Sequence, residues 1–141
     1  MAKTKTVEGV MTVEPVTLPD DADVMSAAKA MRDADIGDVI VLHDGQLCGI
    51  VTDRDIVVRA IAADKDPHRA KLRDICSQDV TAVSPKDPVD RAVELMRDRA
   101  LRRLPVVDQG RPVGIVSLGD LAVERDPKSA LADISSAPGN T

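Results

Sequence analysis

Two helices are predicted by apolar residues that recur with the period of an amphipathic helix. Each stripe has apolar side chains at positions i, i+3, i+4 and i+7, which places them on one helix face. We expect Asp20 or Asp21 to cap the first helix. In the second, Asp87 is the expected cap and Pro88 occupies the first turn. The stripes are Val24, Ala27, Ala28 and Met31, and then Val89, Ala92, Val93 and Met96.

Short apolar runs predict three strands in each half of the chain. Pro15–Leu18 and Val80–Val83 are β-prone runs that precede the two helices. Two further runs follow each helix and surround Asp44-Gly45 or Gln109-Gly110, and Asp-Gly is a strong hairpin signal. These later runs are Val39–Leu42, Leu47–Val51, Leu104–Val107 and Val113–Val116.

A further helix is expected at the end of each hairpin, after Thr52 and after Ser117. Its first copy, residues 56–62, is apolar on nearly every side. A helix of that kind has to be buried, either within this chain or against another chain.

The elements follow one order because the sequence repeats itself at an offset of 65 residues. GIVTDRD at 49–55 matches GIVSLGD at 114–120, and the register holds without a gap from residue 10 to residue 58. Each copy reads β-α-β-β-α, and a unit of about 55 residues is marginally stable alone. We therefore expect an α+β fold in which two such units fold together. The expected boundaries are 1–6 (arm), 7–62 (first unit), 63–71 (linker), 72–126 (second unit) and 127–141 (frayed tail).

The chain of 141 residues contains no phenylalanine, tryptophan or tyrosine. This excludes modules that stack nucleic-acid bases or enclose methylated lysine with aromatic rings. The net charge of −5 also argues against duplex binding, which usually requires a basic face. Residues 1–70 hold 8 basic and 13 acidic side chains, whereas residues 71–141 hold 11 of each. An anion is therefore expected to prefer the second half.

The sequence predicts a cytoplasmic protein that binds neither membrane nor nucleic acid. No apolar run approaches the roughly 18 residues of a membrane span, and no apolar signal segment follows the N-terminus. Two cysteines make no disulfide framework. Cys48 and Cys76 align with Val113 and Met11 of the other copy, which favours buried thiols over the alternative of a redox switch.

The repeated motif is Thr52-x-x-Asp55 or Ser117-x-x-Asp120 at the start of a helix. A hydroxyl and an acid at this spacing form a capping box, which satisfies backbone N–H groups that have no acceptor in the helix. The same helix start can bind a nucleotide, because its N–H groups attract phosphate and the carboxylate can accept from ribose hydroxyls. The two roles are compatible, and the duplication predicts two equivalent sites.

These two sites are expected to differ in charge. Arg102 and Arg103 precede a strand of the second unit, where a guanidinium can bind phosphate through two hydrogen bonds. The alternative is a pair of solvated surface arginines. In the first unit Asp38 would repel phosphate, and Arg54 compensates only in part. We therefore predict that the second site favours phosphate.

Two tandem β-α-β-β-α units with these motifs resemble a CBS-domain pair, also called a Bateman module. GIVTDRD at 49–55 and RRLPVVD at 102–108 are typical of bacterial members, and the resemblance spans residues 7–125. It implies two units around a pseudo-twofold axis, with sheets packed together, helices outside, and two clefts between the sheets. It also implies a homodimer formed through helices, which residues 56–62 fit, and regulation of a partner protein in trans, as in energy or stress responses.

The resemblance further implies a ligand that carries adenosine, such as AMP, ADP, ATP, NAD or S-adenosylmethionine. Aliphatic residues and backbone groups would hold the adenine, while the motif residues and the arginines would hold ribose and phosphate. The implied residues are Thr17, Leu18, Ile40, Thr52, Arg54 and Asp55 in the first site, and Ala82, Val83, Arg103, Pro105, Ser117 and Asp120 in the second.

Other functions have less support in the sequence. His43 and His68 belong to no recognisable triad and make no metal-ligand spacing with Cys48 or Cys76, so we predict neither a catalytic nor a metal site. The main alternative to a nucleotide sensor is an interaction or dimerisation module whose clefts hold no ligand.

Overall fold

The computed structural model describes residues 5–77, 80–126 and 128–137 of the chain, which divides into two compact units. The N-repeat unit comprises the described residues of 15–80. The C-repeat unit combines the described residues of 1–14 with those of 81–141. Each unit has one three-stranded sheet with helices packed on it, so the predicted α+β class is confirmed.

The described residues form six strands, six α-helices and two other helical segments. The strands are β1 (Thr12–Val13), β2 (Thr17–Pro19), β3 (Asp38–His43), β4 (Gln46–Thr52), β5 (Arg103–Asp108) and β6 (Arg111–Ser117). The α-helices are α1 (Val24–Ala34), α2 (Asp53–Asp55), α3 (Leu72–Ile75), α4 (Val89–Arg99), α5 (Leu118–Arg125) and α6 (Ala130–Ser136). A 3-10 helix covers Val7–Gly9, and a π-helix, Ile56–Ile61, continues α2.

Each sheet contains one of the predicted hairpins. The N-repeat sheet has the order β2-β3-β4, with β2 parallel and β4 antiparallel to β3. The C-repeat sheet has the order β1-β6-β5, and all its pairs are antiparallel. The φ angles are 52° and 80° at Asp44 and Gly45, and 54° and 82° at Gln109 and Gly110. Two successive positive φ angles give a type I′ turn, as the hairpin signal predicted.

Helices α1 and α4 bury most of the two predicted apolar stripes in the cores of their own units, whereas Ala28 and Val93 are only half-buried. Each helix ends where the chain turns left-handed, with a φ of 54° at Asp35 and at Ala100. The buried side chains are Val24, Ala27 and Met31 in α1, and Val89, Ala92, Leu95 and Met96 in α4.

The predicted cap of α1 is wrong. Asp23, rather than Asp20 or Asp21, is the N-cap, because its carboxylate accepts the Ser26 N–H at 2.7 Å. This backbone hydrogen bond, followed by one from the Ser26 hydroxyl, holds the pKa of Asp23 below its usual value. The helix therefore begins at Val24, later than the run of aspartates suggested.

The predicted start of α4 is also wrong. Pro88 is the N-cap residue and offers no side-chain acceptor, so the helix begins at Val89. Asp87 instead accepts the Ser84 N–H at 2.9 Å, in the turn before the helix. The preceding run, Val80–Val83, forms no strand, and only Val83 bridges to Val106.

The apolar helix after Thr52 continues α2 as a π-helix, in which the Ala62 N–H bonds the Val57 carbonyl at 2.8 Å. Three successive β-branched residues at 56–58 lower the α-helical propensity of this stretch. Within the π-helix only Ala60 is buried, whereas Val57, Val58 and Ile61 are 59%, 46% and 53% exposed. The sequence predicts that this helix is buried either within the chain or against another chain. Burial within the described chain is not observed.

The segment at the start of each repeat belongs to the compact unit of the other repeat. These segments are β1 in the first repeat and the residues around Ser77 in the second. β1 pairs with β6 in the C-repeat sheet. In the N-repeat unit, Ser77 and Ile50 exchange two backbone hydrogen bonds of 3.1 and 3.2 Å. The compact units thus divide the chain differently from the repeat boundaries, because pairing with a strand holds each segment.

Two glycines allow these segments to approach. A β-carbon on Gly49 of β4 would overlap the Ser77 carbonyl and lie 3.0 Å from the Cys76 Sγ. A β-carbon on Gly114 of β6 would lie 2.5 Å from the Met11 Sδ. A side chain at either position would displace the paired segment.

A helix, α6, occupies seven residues of the segment 127–141 that we expected to be frayed. Ser129 caps it by accepting the Ala132 N–H at 3.0 Å, and Ala132 is buried. α6 packs against α5. Residue 127 and residues 138–141 of the expected tail, with residues 1–4 of the expected arm, lie outside the described residues.

Gly49→Ala is expected to lower the free energy of unfolding by about 2 kcal/mol, because the methyl group collides with backbone that Ile50 holds in place. Gly9→Ala is the control, since nothing lies within 4 Å of its ideal β-carbon position. Urea denaturation measures both variants. A loss at Gly49 no larger than the loss at Gly9 would contradict the close approach.

Candidate functional site

The repeated motif forms a capping box at the start of α2 and again at the start of α5. The Thr52 Oγ1 accepts the Asp55 N–H at 3.1 Å, and the Asp55 Oδ2 accepts the Thr52 N–H at 2.9 Å. Ser117 and Asp120 make the same two bonds at 3.1 and 2.9 Å. The structure therefore contains the capping interaction that the spacing predicts, once in each unit.

The local chain geometry explains why the hydroxyl residue is the cap. Thr52 is the last residue of β4 and keeps extended angles, with φ −106° and ψ 164°. Ser117 ends β6 with φ −107° and ψ 163°. An N-cap residue needs this extended backbone, so the strand delivers each hydroxyl to the helix start in the right conformation.

In the N-repeat unit the predicted adenine-contacting residues lie on two paired strands. Thr17 of β2 is the partner of Ile40 in β3, and the Ile40 N–H donates to the Val16 carbonyl at 3.0 Å. Ile40 is fully buried, although it points away from the face that carries the core residues Val39 and Val41. Thr17 and its sequence neighbour Leu18 are both half-buried.

The C-repeat unit places the equivalent residues in the same way. The Val83 N–H donates to the Pro105 carbonyl at 3.0 Å, and Pro105 is fully buried. Ala82 precedes Val83 and is half-buried. It has no hydroxyl at the position of Thr17, as the sequence already indicates.

The strand residue opposite each capping hydroxyl carries a different charge in the two units. Arg103 pairs with Ser117 across β5 and β6, whereas Asp38 pairs with Thr52 across β3 and β4. Both side chains belong to half-buried residues. The predicted charge difference therefore lies directly across the sheet from each cap.

The first helical turn differs as well, in a way that the sequence analysis missed. In α2 the Asp53 carboxylate accepts the Arg54 N–H at 2.8 Å, while the Arg54 residue is exposed. In α5 the equivalent residues are Leu118 and Gly119, and among the described residues the Gly119 N–H has no acceptor. α5 thus presents an open N–H group where α2 presents a carboxylate.

The two motif aspartates also differ in the partner of their second carboxylate oxygen, Oδ1. The Asp55 Oδ1 forms an ion pair with the Arg59 Nε at 3.6 Å. The residue equivalent to Arg59 is Glu124, which pairs with Lys5 at 3.0 Å. Within the described part of the chain the Asp120 Oδ1 has neither a hydrogen bond nor an ion pair. The i,i+4 spacing of Asp55 and Arg59 was the signal that could have predicted this difference.

The remaining candidate features are metal-ligand clusters, the two histidines and membrane-spanning helices. No group of three or more histidine, cysteine and carboxylate side chains among them could hold a metal ion. His43 and His68 are exposed, and the His43 Nδ1 lies 3.0 Å from the Asp20 Oδ2. Of the helices in residues 5–77, 80–126 and 128–137, none is long and apolar enough to cross a membrane.

Known proteins resemble the chain along most of its length. It is 35% identical over 133 residues to the CBS domain-containing protein YhcV of Bacillus subtilis, which covers 92% of this chain and 94% of YhcV. It is 30% identical over 118 residues to hypoxic response protein 1 of Mycobacterium tuberculosis, which covers 83% and 82% of the two chains.

The fold is similar to that of solved CBS-domain pairs. The CBS domain pair of protein MJ0100, in complex with 5′-methylthioadenosine and S-adenosyl-L-methionine, has a TM-score of 0.80 and 27% identity, over 90% of this chain and 100% of that one. The family model for the CBS domain matches residues 7–61 and 72–125. Because these two matches cover both repeats, the chain belongs to the CBS domain family as a tandem pair.

Proposed function

We propose that the chain is a regulatory module that binds an adenosine-containing ligand and acts in trans on a partner protein. The observation that carries this proposal is the capped helix start, which each unit places beside an aliphatic strand. The complex of MJ0100 with two adenosine compounds supports the ligand class. AMP, ADP, ATP, NAD and S-adenosylmethionine are the candidate ligands.

Each part of an adenosine ligand has a matching group in the N-repeat unit. Among the described strands β2 has one neighbour, β3, so its outer backbone groups can exchange hydrogen bonds with the edge of an adenine. Leu18 and Ile40 offer aliphatic packing, which needs no aromatic side chain. The Asp55 carboxylate can accept hydrogen bonds from ribose hydroxyls.

We infer that the C-repeat site binds phosphate more strongly than the N-repeat site. Arg103 lies across from Ser117, and the Gly119 N–H lies at the positive end of α5. At the equivalent places the N-repeat unit has the carboxylate of Asp38 and the Arg54 N–H, which the Asp53 carboxylate already accepts. Like charges repel, so phosphate binding is weaker there.

An interaction module without ligand is the second candidate. The observation in its favour is that both capping boxes are complete within the chain, because each hydroxyl and each carboxylate already has a backbone partner. Capping alone therefore accounts for the presence of the motif, and only a binding measurement separates the two functions.

Asp120→Ala is expected to weaken AMP binding by about tenfold or more, because it removes a charged acceptor for the ribose hydroxyls. The chain contains no tryptophan, tyrosine or phenylalanine, so its own ultraviolet absorbance is very low. The AMP that the protein binds during equilibrium dialysis can therefore be measured directly by its ultraviolet absorbance. ATP and S-adenosylmethionine are tested in the same way.

Asp55→Ala is the matched control, because it breaks the same capping box in the other unit. Both variants should lose a similar stability of about 1 kcal/mol in urea denaturation. Asp120→Ala should weaken the tighter of the two AMP sites, whereas Asp55→Ala should weaken only the weaker one. Equal stability losses with unchanged binding in both variants would leave capping as the sole role and would support the second candidate.

Arg103→Ala is expected to weaken AMP binding by about tenfold and adenosine binding by less than about twofold, since the guanidinium recognises only the phosphate. Arg102→Ala is the control, because this neighbouring residue is exposed. Calorimetric titration with AMP and with adenosine measures both variants. Equal losses for the two ligands would show that Arg103 does not contact phosphate.

We also propose that two copies of the chain pair through the π-helix Ile56–Ile61. Val57, Val58 and Ile61 are exposed there, and residues four apart lie on the same side of a helix. Together they form an aliphatic patch on a chain with a net charge of −5. Removing such a patch from water favours association.

The double variant Val57→Asp with Ile61→Asp is expected to convert a dimer of twice the 15.0 kDa chain mass into a monomer, because it places charges in the apolar contact. Light scattering after gel filtration measures the mass. Ile134→Asp on α6 is the control, because that side chain is 72% exposed outside the patch. A wild-type monomer, or a dimer that only the control dissociates, would refute this interface.

A further inference from the structure

The two cysteines of the chain lie side by side in the N-repeat unit. Cys48 is in β4, and Cys76 directly follows α3. Cys48 packs against the apolar core cluster that contains Cys76. Alignment of the two repeats predicts buried thiols at both positions but gives no reason to expect them together.

An irregularity in β4 takes Cys48 out of the regular pairing with β3. The pairing of β3 with β4 passes from Val41↔Gly49 to Leu42↔Leu47 and leaves Cys48 without a partner residue, which is the pattern of a β-bulge. A bulge interrupts the alternation of side chains and re-aims the extra residue. Gly49 then leaves room for the Cys76 Sγ, which lies 3.0 Å from its ideal β-carbon position.

Backbone hydrogen bonds hold the two thiols in this arrangement. Ser77, the neighbour of Cys76, exchanges two hydrogen bonds with Ile50 of β4. The positions of the thiols are therefore fixed on both sides by strand pairing, close to the bulge. A bond between them would join segments that are already in register.

The C-repeat unit shows that the fold does not require thiols here. Its register passes from Val106↔Gly114 to Val107↔Pro112, so Val113 is the equivalent bulge residue. Met11 takes the place of Cys76 against Gly114. Apolar side chains are therefore sufficient for packing at both positions, and the cysteine pair adds chemistry that packing does not explain.

Burial gives the two thiols different reactivity. Cys76 is 7% exposed, and burial raises its pKa to about 11, with the neighbouring Cys48 as the next cause and the carboxylate of Asp20 as a further charged group facing the thiol. Cys48 is half-buried. An oxidant from solvent therefore reaches Cys48 first, while Cys76 remains a protonated thiol at neutral pH.

We propose that Cys48 and Cys76 are a modification site at which a hydroperoxide converts two thiols into an intramolecular disulfide. Cys48 attacks the peroxide oxygen, the O–O bond breaks, and the products are a sulfenic acid and water. Cys76 then attacks the Cys48 sulfur and displaces the hydroxyl group, which leaves as water with the Cys76 proton. The thiol pair loses two hydrogen atoms, that is, two protons and two electrons, and hydrogen peroxide becomes two water molecules.

The disulfide closes a ring from residue 48 to residue 76 and ties the segment after α3 to β4. Cross-linking limits the conformations of the unfolded chain, so the oxidised protein is expected to melt about 5–10 °C above the reduced protein. The ring includes Thr52 and Asp55, although the modification itself does not depend on the proposed ligand.

The experiment exposes the reduced chain to stoichiometric hydrogen peroxide and follows thiols, intact mass and melting temperature. We expect both thiols to disappear, the monomer mass to fall by two hydrogen atoms, and dithiothreitol to reverse the change. Cys76 must lose a proton with a pKa of about 11 before it attacks the sulfenic acid. The rate of disulfide formation should therefore rise about tenfold per pH unit near neutrality. Trapping the remaining sulfenic acid with dimedone measures this rate.

The matched control is Cys48→Val with Cys76→Met, which copies the residues of the C-repeat unit. It is expected to fold and to keep one melting temperature with or without peroxide. Cys48→Ser and Cys76→Ser serve as single controls if the double variant does not fold. Persistence of two thiols in the wild type, over-oxidation of Cys48, or disulfides only between chains would overturn the proposal.

Discussion

The proposed site depends on one interaction, the reciprocal pair of hydrogen bonds between a hydroxyl residue and the aspartate three positions later. These bonds fix where each strand ends and where the next helix begins. They also set the position of the carboxylate that is available to a ribose and of the N–H groups that are available to a phosphate. Any change that weakens the cap therefore moves the binding groups as well, and this is why Asp55 and Asp120 have to be compared with each other.

Because the sequence is duplicated, each unit can be compared directly with the other. The backbone angles of the two N-cap residues, Thr52 and Ser117, agree within 1° in φ and ψ, although the surrounding side chains differ. The differences are concentrated in charge, since Asp38, Asp53 and Arg59 of the N-repeat unit correspond to Arg103, Leu118 and Glu124. Packing tolerates these changes because all of them lie outside the two apolar cores. Selection on the fold alone leaves such positions free to vary, so their charge pattern is where a difference in ligand would be encoded.

Much of the fold follows from local patterns. The stripes of α1 and α4, both hairpins and both capping boxes were predictable, because each depends on residues close in sequence. The cap of α1 was not, since Asp20, Asp21 and Asp23 are equally suitable by type, and the Ser26 N–H selects Asp23. The exchange of leading segments was also hidden, because it depends on Gly49 and Gly114 meeting residues that are distant in sequence. Bulges at Cys48 and Val113 were missed because strand periodicity assumes strict alternation.

Capping and ligand binding compete less than their shared residues suggest. Each box uses one carboxylate oxygen, Oδ2, and leaves Oδ1 for another partner. In the N-repeat unit Arg59 takes that oxygen, so a ribose there has to displace or share an existing ion pair. In the C-repeat unit Asp120 offers its Oδ1 without that cost, next to a strand that carries Arg103. A ligand can shift a conformational equilibrium only by its difference in affinity between two states. The two proposed sites, with the same cap geometry and unequal charge, therefore predict a response to one nucleotide at two concentrations.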